Sequence, residues 1–157
     1  MFSLAAFHYV FKIGPRLLNA PVFRFYPKGE FHDQKYDRVF VSWDAEKNKP
    51  FDQYILWIGQ QSGMTEAVSY TVRDNDLPGA GGFYASIYFS DFKEVGGTNV
   101  PHLQTVKLAG PNGKTSGGYV HQLTVEQFIY DAFSPSQIRP NIDLVPIDDR
   151  KRAEGQE

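Results

Sequence analysis

Histidines and carboxylates are the side chains of this chain that could do acid and base chemistry. They are dispersed in the sequence, and no G-x-S-x-G motif supplies a nucleophilic serine. The chain has no cysteine, so thiolate nucleophiles, disulfides and cysteine-ligated zinc are excluded. Carboxylates beside turns are usually solvated, and we therefore predict a protein without catalytic residues. The acid and base candidates are His32, Asp33, Asp37, Asp52, Asp91 and Glu94.

The histidine spacing does not predict a local metal site. His8, His32, His102 and His121 are far apart, and no two are separated by the two or four positions that align ligands on a strand or helix. We expect no metal ion and no cofactor. An enzyme that pairs His32 or His121 with an aspartate from another strand is a less favoured alternative. It requires a histidine within hydrogen-bonding distance of a carboxylate in a pocket.

Residues 110–115 read GPNGKT and invite comparison with a phosphate-binding loop. That loop requires G-x-x-x-x-G-K-[ST] followed by a helix. Leu108 occupies the position of the first glycine, and Ser-Gly-Gly follows the threonine. The segment therefore predicts a hairpin loop.

Length and charge limit the class of protein. At about 150 residues per domain, the 157 residues predict a single β domain over residues 1–147 and a polar tail over 148–157. The 16 basic and 18 acidic residues give a net charge of −2, which argues against nucleic-acid binding. The first thirteen residues are apolar but too short to span a bilayer, so no integral membrane protein is expected. They predict a short buried helix, and we expect the chain to be a trimmed part of a longer protein.

The dominant hydrophobic period is two, which is typical of strands with one buried face. Gaps rich in glycine, proline and asparagine separate the apolar runs and are too short for parallel crossovers. The sequence thus predicts a mainly β fold, a curved antiparallel meander of about seven strands with a short N-terminal helix. A helical pattern appears only near the start and around residues 16–19. The predicted strands cover residues 23–26, 38–43, 53–58, 67–73, 83–89, 103–108 and 120–130.

Two strands carry large apolar groups on both faces. These are residues 54–58, YILWI, and residues 83–89, FYASIYF. A sheet with one wet face should alternate cleanly, so something must cover the second face. The N-terminal helix and the residues after 133 could do so. Alternatively, the sheet encloses a groove for an apolar ligand, and a helix could also serve as the lid of such a groove.

Five segments resemble the LolA/LolB-like superfamily of bacterial envelope proteins, and an uncharacterised branch of it in particular. They are FKIGPRLLNAP, KYDRVFVSWD, FDQYILWIGQQSG, AVSYTVRD and YFSDFKEVGGTNVPH, and the resemblance covers roughly residues 10–130. It implies an incurved half-barrel with helices in its concavity and an apolar cavity that holds lipoprotein acyl chains. The opening helix and first strands of the family pattern lack a counterpart, and the lipobox cysteine of the anchored receptors is missing.

The resemblance and the two-faced strands together predict a non-catalytic carrier in the periplasm or cell envelope. Its expected partners are a lipid or a lipidated protein, and a homo-oligomer is a further expectation. The alternative is a structural or protein-interaction module that uses aromatic sheet faces or an exposed edge. The predicted ligand-binding residues are Val39, Val41, Trp43, Tyr54, Leu56, Ile58, Val68, Tyr70, Val72, Phe83, Ile87 and Phe89.

Overall fold

The computed structural model describes residues 13–31, 33–44, 51–71, 84–109 and 114–129. Contacts divide the chain into two units, Met1–Glu126 and Gln127–Glu157. Of the second unit, only residues 127–129 belong to the described part. The predicted boundary between residues 147 and 148 and the predicted helix over residues 2–12 lie outside the described residues.

One short helix and seven strands make up the described part of the chain. The helix α1 covers Ile13–Leu18. The strands are β1 (Val22–Phe31), β2 (Gln34–Ser42), β3 (Gln53–Gly59), β4 (Thr65–Thr71), β5 (Tyr84–Val95), β6 (Thr98–Ala109) and β7 (Thr115–Thr124).

The seven strands form one antiparallel sheet in which spatial order equals sequence order. The sheet is open, and β1 and β7 are its edge strands. This arrangement confirms the predicted mainly β meander. Strand β3 lies near its centre and is largely buried on both faces, as the apolar run YILWI predicts.

Short turns join the strands wherever the connection is described. Gly96 and Gly97 connect β5 to β6 with φ angles of 59° and 81°, and Val95 pairs with Thr98 on either side of them. Positive φ at both central residues is the requirement of a type I′ hairpin, and glycine meets it without steric cost. Gly63, at φ 67°, closes the turn between β3 and β4. Both turns fall in glycine-containing gaps between the predicted strands.

The last strand differs from its prediction. Strand β7 covers Thr115–Thr124, whereas the alternation predicted residues 120–130. Residues 115–118 are Thr, Ser, Gly and Gly, so they show no apolar alternation, yet backbone pairing of Thr115 with Ala109 makes them part of the ladder. Residues 125–129 lie outside any strand. The predicted loops over residues 74–82 and 110–113 lie outside the described residues.

We call the side of the sheet that contacts α1 the helix face. Register aligns one apolar residue from each of five strands across it, and most of these side chains are buried. Ile13 and Leu17 of α1 pack against this row. Aligned cross-strand contacts of this kind are the main stabilisation of an antiparallel sheet. The row consists of Val39, Leu56, Val68, Ile87 and Val106.

The other side, which we call the tryptophan face, has a smaller apolar core. Tyr36, Phe40, Ile55, Trp57 and Ala67 are buried in it. Partly buried residues of β1 and β5 pack against this cluster. Both faces of the sheet therefore bury apolar side chains.

We predict that Gly29→Ala destabilises the protein by about 1–3 kcal/mol through overpacking. A Cβ at Gly29 would lie 2.6 Å from the buried ring of Trp57 and 2.9 Å from Nε of Arg38. Gly118→Ala is the matched control, because a Cβ there meets nothing within 4 Å. Urea unfolding of both variants is the measurement. Equal stability of the two variants would contradict this packing.

Candidate functional site

The candidate site is an open groove on the helix face with a volume of about 550 Å³. Helix α1 and strand β1 contribute one side of its lining, and strands β3 to β6 with the β3–β4 turn contribute the rest. Most of the lining side chains are apolar. They are Ile13, Gly14, Leu17, Leu18, Phe23, Leu56, Met64, Thr65, Val68, Phe89, Phe92, Asn99 and Pro101.

Helix α1 forms a wall of the groove with its apolar residues. Ile13 and Leu17 are separated by four positions and share the buried side, whereas Leu18 is 83% exposed. The helix ends in a tightened turn, in which the Ala20 N–H donates to the Leu17 carbonyl at 3.1 Å. Pro21 follows and cannot continue the helix.

A buried ion pair ties α1 to the sheet. The Asp52 side chain, just before β3, is 0% exposed, and its Oδ2 lies 3.8 Å from Nη2 of Arg16 on α1. The Arg16 guanidinium also lies 4.7 Å from the centroid of the Trp43 ring. A buried carboxylate is costly unless it is paired and hydrogen-bonded. Arg16 therefore fixes where α1 can lie.

The Thr71 hydroxyl also contacts the Asp52 side chain. The Thr71 hydroxyl donates to Asp52 Oδ1 at 3.3 Å and accepts the Gln53 N–H at 2.9 Å. Burial, reinforced by the charge of Asp52, raises the pKa of Tyr54 and raises the pKa of Tyr70 to about 12. Both phenols therefore stay neutral to a higher pH than an exposed tyrosine does.

Three large apolar side chains stay exposed beside the groove. Leu18 and Phe23 line it, and Phe23 is 53% exposed. Phe25 is two residues further along edge strand β1 and is 95% exposed, but it does not line the groove. Adjacent exposed apolar groups of this size are typical of a binding surface.

The structure places most of the predicted ligand-binding residues on the helix face. Leu56, Val68 and Phe89 line the groove. Val39 and Trp43 pack against the core at its side, and Ile58 continues the alternation of β3. Val72 and Phe83 lie outside the described residues. The remaining four are buried in the core rather than in the groove lining: Val41, Tyr54, Tyr70 and Ile87.

Several groove residues were not predicted. Leu17 and Leu18 belong to the segment with a helical pattern, and their apolar spacing was the available signal. Phe92 lies beyond the predicted end of β5 at residue 89, and Asn99 and Pro101 lie before the predicted start of β6 at residue 103. No local pattern signals that these strand ends line the same groove as α1.

Within the described residues, the acid and base candidates do not form one site. His102 is buried in β6 with Nδ1 3.1 Å from the Val100 carbonyl oxygen, whereas His8 and His32 lie outside the described part. Within that part, no three histidine or carboxylate side chains are grouped to hold a metal ion. No described helix has the length and apolar character that crossing a membrane requires.

Comparisons with known proteins identify no relative of this chain. No protein family, curated protein or solved structure matches the chain. The likeness to LolA/LolB-like proteins therefore stays a prediction from the sequence.

We predict that Arg16→Met lowers the free energy of unfolding by about 2–3 kcal/mol, because it leaves Asp52 buried without this cation. The loss is below the full penalty of a broken buried pair, since Arg16 is partly exposed. Adding Asp52→Asn should recover part of the loss. The control is Lys28→Met, which breaks an exposed pair with Asp37 and should cost less than about 1 kcal/mol. Equal losses in urea unfolding would refute the role of the buried pair.

We predict that stability falls between pH 10 and pH 12, partly because Tyr70 ionises in this range. The pKa of Tyr70 is raised in the folded state, so its contribution is complete below the unfolded value and is lost as pH rises through the folded value. Tyr70→Phe should flatten this fall. Urea unfolding across the alkaline range tests it, and an unchanged slope in the variant would count against the assignment.

Proposed function

We propose that this protein binds the apolar chain of a lipid or lipidated protein in the groove of the helix face, without catalysing a reaction. The observation that carries the proposal is the apolar lining of a groove of about 550 Å³. That volume lies within the roughly 300–1,000 Å³ range of small-molecule sites. Few polar groups line it, which favours a ligand recognised by its apolar surface.

The energetics fit reversible binding. Each buried methylene contributes about 0.8 kcal/mol, so an acyl chain that buries ten of them would gain roughly 8 kcal/mol. Association and ordering cost an estimated 4–15 kcal/mol or more. The gain exceeds this cost only at its lower end, so the net affinity would be weak and the ligand would be released readily.

Helix α1 supports a mechanism for release. Ile13 and Leu17 pack on the sheet and also line the groove. A shift of α1 over the sheet would place these side chains where the ligand lies, so helix and ligand would compete for one apolar surface. The Arg16–Asp52 pair limits how far such a shift can go.

A location in the bacterial envelope, periplasmic and serving a lipidated partner, follows from the sequence likeness alone and belongs to this proposal. The rival proposal is an interaction module that pairs through a sheet edge. Edge strand β1 argues against edge pairing, because Pro27 lacks an N–H, Lys28 is charged and the register is irregular between Tyr26 and Gly29. A homo-oligomer that forms through the exposed phenylalanines is a further possible outcome of the experiment described below.

We predict that Phe23→Ser weakens binding of a fluorescent fatty acid by about tenfold, since it removes an aromatic wall of the groove. Phe25→Ser is the matched control, with the same substitution on the same strand and face. It should change the affinity by less than about twofold. Both residues are exposed, so both variants should fold. Fluorescence titration gives the affinities.

Absence of fatty-acid binding by the unchanged protein would reject the carrier. Equal effects of Phe23→Ser and Phe25→Ser would place the binding surface outside the groove. Light scattering of the unchanged protein should give the mass of a monomer at every concentration. A mass that rises with concentration and returns to the monomer value in Phe25→Ser would favour the oligomer instead.

A further inference from the structure

The tryptophan face carries a second, smaller cavity of about 230 Å³. It is smaller than the roughly 300–1,000 Å³ typical of drug-sized ligands, so an occupant must be small. Five of its nine lining residues are aromatic and one is acidic, and the lining residues come from strands β1 to β5. We call this cavity the aromatic pocket, and it is lined by Phe31, Gln34, Tyr36, Trp57, Glu66, Ala67, Ser86, Tyr88 and Phe89.

The rings of the aromatic pocket are fixed against one another. Phe31 stacks on Tyr88 with centroids 5.3 Å apart, and Tyr36 meets Trp57 edge to face at 5.8 Å. The Trp57 indole N–H donates to the buried Ser69 hydroxyl at 3.0 Å, which anchors the ring. The aromatic walls are thus preorganised.

Glu66 adds one carboxylate to this wall. A register shift opposite Trp57 and Ile58 places an extra residue in β4, and bulges of this kind redirect side chains. Gly59 makes room, because a Cβ there would lie 2.5 Å from Glu66 Oε1. The Tyr36 and Ser62 hydroxyls donate to the carboxylate at 2.9 Å and 2.6 Å. Within the described residues, Glu66 accepts these bonds but has no cationic partner.

Rings of this face, two of which line the aromatic pocket itself, already contact cations of the chain. The Arg38 guanidinium lies 4.7 Å from the Trp57 centroid and 4.9 Å from that of Tyr26. The Lys107 ammonium is 6.0 Å from the Tyr88 centroid. Aromatic faces attract cations through their quadrupole, and alkylated ammonium groups are recognised in cages of such rings.

We infer that the aromatic pocket binds a small organic cation of the alkylated ammonium class, with Glu66 as its counter-ion. The Glu66 carboxylate would repel an anion, and a neutral apolar group would make no use of its charge. An alkylated ammonium satisfies both requirements, since its methyl groups contact the rings and its charge neutralises the carboxylate. This site is on the opposite face of the sheet from the groove and shares only Phe89 with the groove lining, and the inference does not rest on the proposed acyl-chain binding.

The test is calorimetric titration of the full chain with choline and with dimethylbutanol, the uncharged carbon isostere of choline, at matched ionic strength. Choline should bind at least about tenfold more tightly than the isostere. In heteronuclear spectra, choline should shift the indole N–H resonance of Trp57 and leave that of Trp43 on the helix face unchanged.

Glu66→Gln should weaken choline binding by about tenfold and leave binding of the isostere unchanged. Glu94→Gln removes the same charge at an exposed position outside the pocket and should have no effect on either. Phe23→Ser, in the groove, should leave choline binding intact. Thermal unfolding checks that the variants fold.

Three results would overturn the inference: no binding of choline, equal affinity for choline and its isostere, or a Glu66→Gln variant that binds choline unchanged. The comparison of choline with its isostere uses the unmodified protein, so it decides the matter even where Glu66→Gln does not fold. If the unmodified protein binds choline but no fatty acid, the proposed function is rejected and this inference still stands.

Discussion

A single sheet that carries large apolar side chains on both faces is the constraint on which this structure depends. Along β3, Tyr54 is buried on the helix face, and Ile55 and Trp57 are buried on the tryptophan face. One layer of strands cannot remove both faces from water, and domains normally need a second layer. Helix α1 has six residues and supplies only part of that layer. The groove borders the area that α1 covers.

The polar groups beneath α1 explain why the helix stays on the sheet despite its small contact area. Ile13 and Leu17 contribute two buried anchors, which alone would define its position loosely. The pairing of Arg16 with the buried Asp52 adds a directional constraint, because any other position of the helix would leave a carboxylate buried without that cation. Trp43 fixes the guanidinium from one side. Apolar burial thus stabilises the packing of α1 on the sheet, and the ion pair determines its position.

Alternation along the strands made much of the sheet predictable, since a period of two assigns side chains to faces without knowledge of the register. For this reason Val39, Leu56 and Val68 were identified together, and the register then aligned them. Contacts between distant segments were not predictable. The partners Arg16 and Asp52 are joined by tertiary packing alone, and the bulge that redirects Glu66 depends on pairing between β3 and β4. Strand β7 was misplaced because its first residues have no apolar pattern.

The two cavities differ in the interaction that each can offer, although their walls alternate along the same strands. Leu56 lines the groove and Trp57 the aromatic pocket, and in β4 Val68 and Ala67 divide in the same way. The groove offers apolar area, which selects weakly among ligands of similar length. The aromatic pocket adds a charge, which discriminates by sign. Phe89 contributes to both cavities, so it is the side chain through which occupancy of one could alter the other. Such coupling requires Phe89 to have two arrangements that the ligands favour unequally.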